Sequence, residues 1–329
     1  MLYREIATTG FNASVICLGT GPFGGGPSWS SGDDQNAIKI VHASLDNGVN
    51  LIDTAPVYSY GRCEQIVGKA IKGRRDKVIV LTKCGTVWNK NAGEFLQNVE
   101  EELTDFQSNR IKTLHKCLTP DSIAEEIEKS LARLGTDYID LYLTHWQDRT
   151  TPIEDTVGVL SKLKEQGKIR AFGVSNASLE QLKQYGDIAA AEEQFNMLNR
   201  DVETNGILKC CSQNNIAFLA YSPLCGGLLT GAMEPSGQEN PNLLFKPANI
   251  KLINAMLEEF LPIAEAHNAT PIQVVTVWTF SRPGVTHVLR GAITEEQAIE
   301  NAFAGDMSLS PDELKTIDAI LEKYTAMLS

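Results

Sequence analysis

Short apolar runs recur along the chain and alternate with longer stretches whose apolar residues are spaced three and four apart. Val15–Leu18, Leu51–Ile52, Val78–Leu81, Ile139–Leu143, Ala171–Val174, Ile216–Ala220 and His287–Leu289 are rich in branched side chains and nearly free of polar alternation. That is the pattern of strands buried on both faces. Ile188–Ala191 is a weaker eighth run. Between the runs, Ala37–Asp46, Arg62–Lys72, Asp121–Leu134, Thr156–Gly167, Leu179–Gly186 and Thr204–Asn214 carry an apolar stripe opposite a charged one, which predicts surface helices. Thr119 and Pro120 mark the start of the third helix. Ser178 with Gln181 forms a capping-box pattern at the fifth.

Strand and helix in regular alternation predict a parallel sheet with helices outside it. A barrel of this kind commonly exceeds ~250 residues, and no Pro/Ser-rich linker breaks the 329 residues, so a single (β/α)8 TIM barrel, an α/β fold spanning 1–329, is expected. The alternation lapses over Cys84–Leu118 and Gly226–Asn249. In a closed barrel both segments project from the C-terminal face, where substrate loops belong.

Four chemically useful residues fall at or just beyond the ends of these strands: Asp53, Tyr58, Lys83 and His145. Each has an ordinary structural role to set against catalysis. Asp53 can cap the turn that follows it, Tyr58 and His145 can be core residues, and only Lys83 is awkward to bury. Their arrival on successive strand ends favours a joint function. A tyrosine beside a lysine, a carboxylate and a histidine can deliver a proton to a carbonyl oxygen.

Charge narrows the partners. With 41 acidic and 29 basic residues the formal net charge is -12, which argues against nucleic acid and against an anionic membrane surface. A metabolite-scale ligand is the better expectation. Seven cysteines without CxxC spacing fit reduced thiols, and Met1–Glu5 brings charge before any apolar run, so a cytoplasmic protein without secretory signal or membrane span is expected. Gly19, Gly21 and Gly24 form a literal GxGxxG, but no helix is predicted before about Asp33, which removes the helix N-terminus that a doubly wound sheet would offer a pyrophosphate. Five histidines without HxH or HExxH spacing predict no metal site, and no GxSxG elbow is present.

Asp53–Tyr58 with Gly61–Glu64, Thr82–Gly85, Asp140–Trp146, Gly173–Asn176 and Tyr221–Leu224 resemble, in order and over nearly the whole chain, the motifs of the aldo-keto reductase family. The resemblance implies a (β/α)8 barrel that binds nicotinamide dinucleotide without a Rossmann domain. It implies Tyr58 as general acid, Lys83 held by Asp53 and lowering the tyrosine's pKa, and His145 orienting the carbonyl. It further implies a cofactor site of Gly19, Thr20, Asp53, Ser175, Asn176, Glu192, Tyr221, Ser222, Leu224, Gly291, Thr294, Gln297, Glu300 and Asn301. Ser175 and Asn176 would hold the carboxamide, Tyr221 would stack on the ring, Ser222 and Leu224 would meet the pyrophosphate, and Glu300 and Asn301 would face adenine. Glu192 departs from the family's usual glutamine.

At the adenosine end, members favouring the 2'-phosphorylated cofactor commonly carry a lysine or arginine where this chain has Ile293. NADH is therefore expected in preference to NADPH. Two readings of Arg290 stay open: its guanidinium reaches the same phosphate, which would admit NADPH, or it pairs with an exposed acid such as Glu295. Trp29, Trp88 and Trp146 are candidates for a substrate pocket, with core or lid roles as the alternative. The segments Gly24–Trp29 and Thr144–Gln147 are most similar to those of bacterial NADH-dependent methylglyoxal reductases, which implies a small carbonyl or sugar substrate: reduction of a small aldehyde, oxo-aldehyde or sugar carbonyl. The alternatives are a sugar or alcohol dehydrogenase working oxidatively and a nucleotide-sensing partner protein with slow turnover. Oligomeric state is not legible in the sequence.

Overall fold

The computed structural model describes residues 1–24, 33–101, 110–235 and 242–328. The predicted runs are strands: β1 Ile16–Gly19, β2 Leu51–Asp53, β3 Ile79–Cys84, β4 Ile139–Thr144, β5 Ile169–Ser175, β6 Ala190–Gln194, β7 Ala217–Tyr221 and β8 His287–Gly291. They close a barrel in chain order, every neighbouring pair parallel, with β8 completing the circle against β1. The helices α1 Asp34–Asp46, α2 Arg62–Ala70, α3 Pro120–Leu134, α4 Ile153–Glu165, α5 Leu179–Tyr185, α6 Ile207–Gln213, α7 Pro271–Ser281 and α8 Glu295–Ala304 follow the strands in turn. The expected (β/α)8 barrel is therefore present.

Both faces of the sheet are dry, which is why the strands read as continuous apolar runs. Cys17, Leu51, Leu81, Leu141, Leu143, Ala171, Ala190, Ala217, Leu219 and Leu289 fill the interior, while a larger layer including Ile52, Val80, Tyr142, Phe218 and Val288 packs under the helices. Each fully buried Leu or Ile contributes ~1.5–3 kcal/mol. An antiparallel hairpin, Tyr3–Glu5 with Asn12–Ser14, adds Ile6, Phe11 and Ala13 to the interior core.

Several boundaries depart from the sequence expectation. The single helix expected over Thr204–Asn214 is two, Asp201–Thr204 and α6, separated by Gly206 at φ +90°. The weak run at Ile188–Ala191 becomes β6, shifted toward its C-terminal acids, and so places Glu192 inside the sheet. The segment Cys84–Leu118 contains a three-stranded antiparallel sheet, Thr86–Val87, Arg110–Lys116 and Glu94–Glu101. Its strands carry polar residues toward both sides, so no period-two signal announced them. The capping box at Ser178 and Gln181 forms as expected, and α1 begins behind Asp33, whose carboxylate accepts from Gln35 N. Only a short 3-10 turn, Gly21–Gly24, follows β1 directly. None of the described helices is long and apolar enough to cross a membrane.

Candidate active site

Asp53 ends β2, Lys83 lies near the end of β3, and His145 follows β4, so adjacent strands deliver all three to one mouth of the barrel. Tyr58 joins them from the β2–α2 loop by a costly turn. Ser59 and Tyr60 take left-handed backbone angles, φ +47° and +54°, before Gly61 at φ +96°. Each such non-glycine residue costs ~1–2 kcal/mol, and strain of this kind gathers at functional sites. A side chain on Gly61 would lie 2.6 Å from Arg133 Cδ.

The turn is fastened from behind by Glu64. Its fully buried carboxylate accepts from Thr82 Oγ1 at 2.7 Å and from Arg133 Nε at 2.6 Å. Thr82 directly precedes Lys83, so this bridge ties α2, α3 and β3 together beside the lysine. Glu64 stood in a motif quoted from the sequence without a role; a carboxylate on the buried face of a predicted helix was the signal that it needed partners.

Lys83 is fully buried and its ammonium pairs with the Asp53 carboxylate. It also lies 3.4 Å from Thr54 O, 3.4 Å from Tyr58 Oη and 3.4 Å from Glu192 Oε1. Burial opposes the charge on Lys83, but Asp53, Glu192 and Tyr58 outweigh it and hold the ammonium protonated well above the usual lysine range. The expected lowering of the Tyr58 pKa is not what the structure yields. Burial raises the phenol above its ordinary value, and Lys83 opposes that rise without cancelling it. Tyr58 is thus a protonated phenol near neutrality, suited to giving a proton rather than taking one.

The His145 ring packs edge-on against Tyr58, with centroids 5.8 Å apart. Burial, then the nearby Lys83 charge, depresses its pKa well below the ordinary histidine value, so the imidazole is neutral. Its main chain is fixed on both sides: N donates to Cys84 O at 2.8 Å and O accepts from Asn176 Nδ2 at 2.9 Å. A phenol O–H and a neutral imidazole side by side form a donor pair for one developing oxyanion.

The residues assigned to the cofactor surround this mouth. Ser175 Oγ donates to Glu192 O at 2.9 Å, and Asn176, at φ +55°, accepts from Tyr221 Oη at 2.7 Å. Thr20 Oγ1, Thr54 Oγ1, His145 Nδ1 and Glu192 Oε2 are buried without hydrogen-bond partners among the described residues. Buried polar atoms of this kind are normally satisfied, and polar groups of a bound nicotinamide would meet that need. Ser222, Cys225, Gly226 and Gly227 all have positive φ, a conformation that turns backbone N–H groups toward an anion such as a pyrophosphate. Gly19 and Gly291 pair in register and leave the C-terminal end of the β8–β1 seam without side chains. These features fit an extended dinucleotide.

At the adenosine end Arg290 turns inward. Arg290 is buried and gives Nε and Nη2 to Asn301 Oδ1 at 3.0 and 2.6 Å, while Glu295 lies 3.9 Å from Lys39. The Arg290–Glu295 pair expected from the sequence therefore does not form, and the guanidinium is held by Asn301. Asn301 also donates to Gly291 O at 3.0 Å, Glu300 accepts from Thr270 Oγ1 at 2.7 Å, and Gln297 Oε1 accepts from Ile293 N at 2.9 Å. Thr294 caps α8. Ile293 itself is exposed.

Of the three tryptophans, Trp29 lies outside the described residues. Trp88 packs on Tyr60 with centroids 5.5 Å apart and lines a cleft with Pro56, Val87, Lys90 and Arg133. Trp146 is partly buried beside His145. Gln147, part of the Thr144–Gln147 segment but given no role from the sequence, donates through Nε2 to Thr144 Oγ1 and Ser175 O while its Oε1 accepts from Tyr185 Oη. Gln147 joins the ends of β4 and β5 and so steadies His145 and Ser175 together.

The model of the aldo/keto reductase family matches residues 15–322. The chain is 38% identical to the NADH-specific methylglyoxal reductase of Escherichia coli, over 93% of this chain and 94% of that protein. It is 36% identical to the aldo-keto reductase YhdN of Bacillus subtilis, over 98% and 94%. Among solved structures, a glycerol dehydrogenase from Gluconobacter oxydans superposes with a TM-score of 0.82 at 32% identity, covering 98% of this chain and 96% of that one. Barrel, strand-end residues and near-complete alignment agree: this chain belongs to the aldo/keto reductase family and is an NAD(P)H-dependent oxidoreductase.

Proposed function

We propose that the protein reduces a small aldehyde or oxo-aldehyde such as methylglyoxal, with NADH as hydride donor and Tyr58 as general acid. The observation that carries this reading is the Tyr58 hydroxyl 3.4 Å from a buried Lys83 ammonium that Asp53 anchors. When bound, the nicotinamide supplies hydride to the carbonyl carbon. Tyr58 gives its proton to the oxygen, and the tyrosinate left behind faces Lys83, while neutral His145 donates to the same oxygen. Ser175, Asn176 and Tyr221 would orient the nicotinamide, and Ser222 and Leu224 would hold the pyrophosphate.

NADH is supported by uncharged Ile293, by an Arg290 engaged with Asn301, and by Glu295 and Glu296 in the first turn of α8, which repel a further phosphate. The likeness to an NADH-specific methylglyoxal reductase supports the same choice. The likeness to a glycerol dehydrogenase supports a second reading, in which the same groups run in reverse with Tyr58 regaining a proton from an alcohol.

Initial rates with NADH and NADPH, each with methylglyoxal and an aldose panel, and with NAD+ and NADP+ on glycerol, separate these readings. Turnover with NADH and methylglyoxal that disappears in Tyr58→Phe supports the proposal. Rates confined to glycerol with NAD+ would replace it by the oxidative reading, and tight cofactor binding without turnover on any substrate would favour a sensor.

A further inference from the structure

Two carboxylates, not one, reach the lysine of this site. Asp53 comes from β2 and Glu192 from β6, across the barrel, and the side chains of Lys83, Asp53 and Glu192 are 0%, 3% and 4% exposed. Glu192 Oε1 lies 3.4 Å from Lys83 Nζ, and Oε2 is buried without a hydrogen-bond partner among the described residues. The backbone of Glu192 serves the neighbouring strand end as well: its carbonyl accepts from Ser175 Oγ at 2.9 Å and from Asn176 N at 3.2 Å. The next residue, Glu193, is engaged elsewhere and accepts from Ala177 N at 2.8 Å.

We propose that Glu192 is a positioning residue for proton transfer, sharing the Lys83 ammonium with Asp53 and so setting how strongly Lys83 acts on the Tyr58 hydroxyl. The proposal rests on the reading of Tyr58 as the general acid. Two carboxylates and one ammonium carry a net negative charge in a dry site if all are ionised, and like charges this close oppose joint ionisation. The groups facing this cluster are Asp53 from β2, Cys17 from β1, Tyr58 from the β2–α2 loop, His145 beyond β4 and Tyr221 at the end of the neighbouring β7, with Glu193 behind on β6 itself. Burial pushes the Glu192 carboxyl up to about 8, with Lys83 opposing and Asp53 adding to the rise.

Near neutrality Glu192 is then a neutral acid, and Lys83 is left with Asp53 and Tyr58. Above that range its ionised form draws on the ammonium and raises the cost of forming a tyrosinate. Proton donation in the reductive direction slows accordingly. During that step the phenol O–H breaks and the carbonyl oxygen gains the proton; Glu192 exchanges no proton with substrate.

The test has one readout independent of turnover. In protein carrying 13C-carboxyl glutamate, the resonance lost in Glu192→Gln is followed with pH. It should titrate well above the ordinary carboxylate range and move higher still in Lys83→Met, where the opposing cation is gone. Titration in the ordinary range, or no response to Lys83→Met, overturns the shared-lysine arrangement. In the second arm, the turnover number for methylglyoxal reduction at saturating NADH should fall at least about three-fold from about pH 7 to 9 in the parent. That fall should vanish in Glu192→Gln and return in Glu192→Asp. Identical profiles in the parent and Glu192→Gln overturn the positioning role. A parent that reduces no carbonyl at any pH refutes the reductase reading, while the carboxyl titration still decides the position of Glu192 on Lys83.

Discussion

Tyr58 Oη lies 3.4 Å from Lys83 Nζ, and the two residues reach that distance from opposite backbone conditions. Lys83 is carried by a regular strand, whereas Tyr58 enters a run of positive-φ residues. Tyr58→Phe removes the proton donor and leaves the ring packing beside His145. Turnover should drop ~10²- to 10⁴-fold, while the affinity for NADH, read by fluorescence titration, should change little. A parental rate in this variant would mean that another group supplies the proton.

Replacing Lys83 by Met exposes the cost of the carboxylates it serves. Asp53 is left buried and unpaired, a change expected to cost ~3–5 kcal/mol of stability in urea unfolding. Adding Asp53→Asn should return part of that loss, because the uncompensated charge goes with it. Strict additivity of the two variants would show that the pair is not energetically linked.

Glu126 makes stability depend on pH. Its carboxylate accepts from Gly85 N at 3.0 Å and Ser122 Oγ at 2.9 Å, yet burial raises its pKa from 4.5 to about 7. A raised native pKa means that the folded chain holds the proton longer than the unfolded one. The stabilisation is full below 4.5 and is lost as pH rises through about 7. Glu126→Gln should therefore show a smaller loss of urea stability than the parent between these values; an equal loss would assign the slope to other groups.

Ile293→Arg should place a cation where the adenosine end now exposes an apolar side chain. NADPH affinity is expected to improve about ten-fold, the worth of one charge-assisted hydrogen bond, with NADH affinity little changed. Equal effects on both cofactors, measured by parallel titration, would place the 2'-phosphate elsewhere.

Gly173 permits the close approach of β5 and β6. A Cβ there would lie 2.2 Å from Ala190 O and 2.8 Å from Leu143 Cδ2. Gly173→Ala should cost ~1–3 kcal/mol and also disturb Ser175, two residues on. A stable, fully active variant would show that the barrel can open at this seam without consequence.

The periodicity of the chain determined the barrel because its strands are dry on both faces and its outer helices on one, and both conditions write themselves into hydrophobic spacing. It also determined where Asp53, Tyr58, Lys83 and His145 stand relative to the strand ends. The polar sheet within Cys84–Leu118 left no such mark, since neither of its faces demands an apolar repeat. Tertiary structure alone decided the partners: Arg290 on Asn301, Glu64 on Thr82 and Arg133, and Glu192 on Lys83. It also decided that burial outweighs Lys83 at Tyr58. The physical reason is common to all of these. A local sequence pattern specifies which face of a strand or helix is dry, but an ion pair or a pKa depends on the distance between residues that only closure of the barrel brings together.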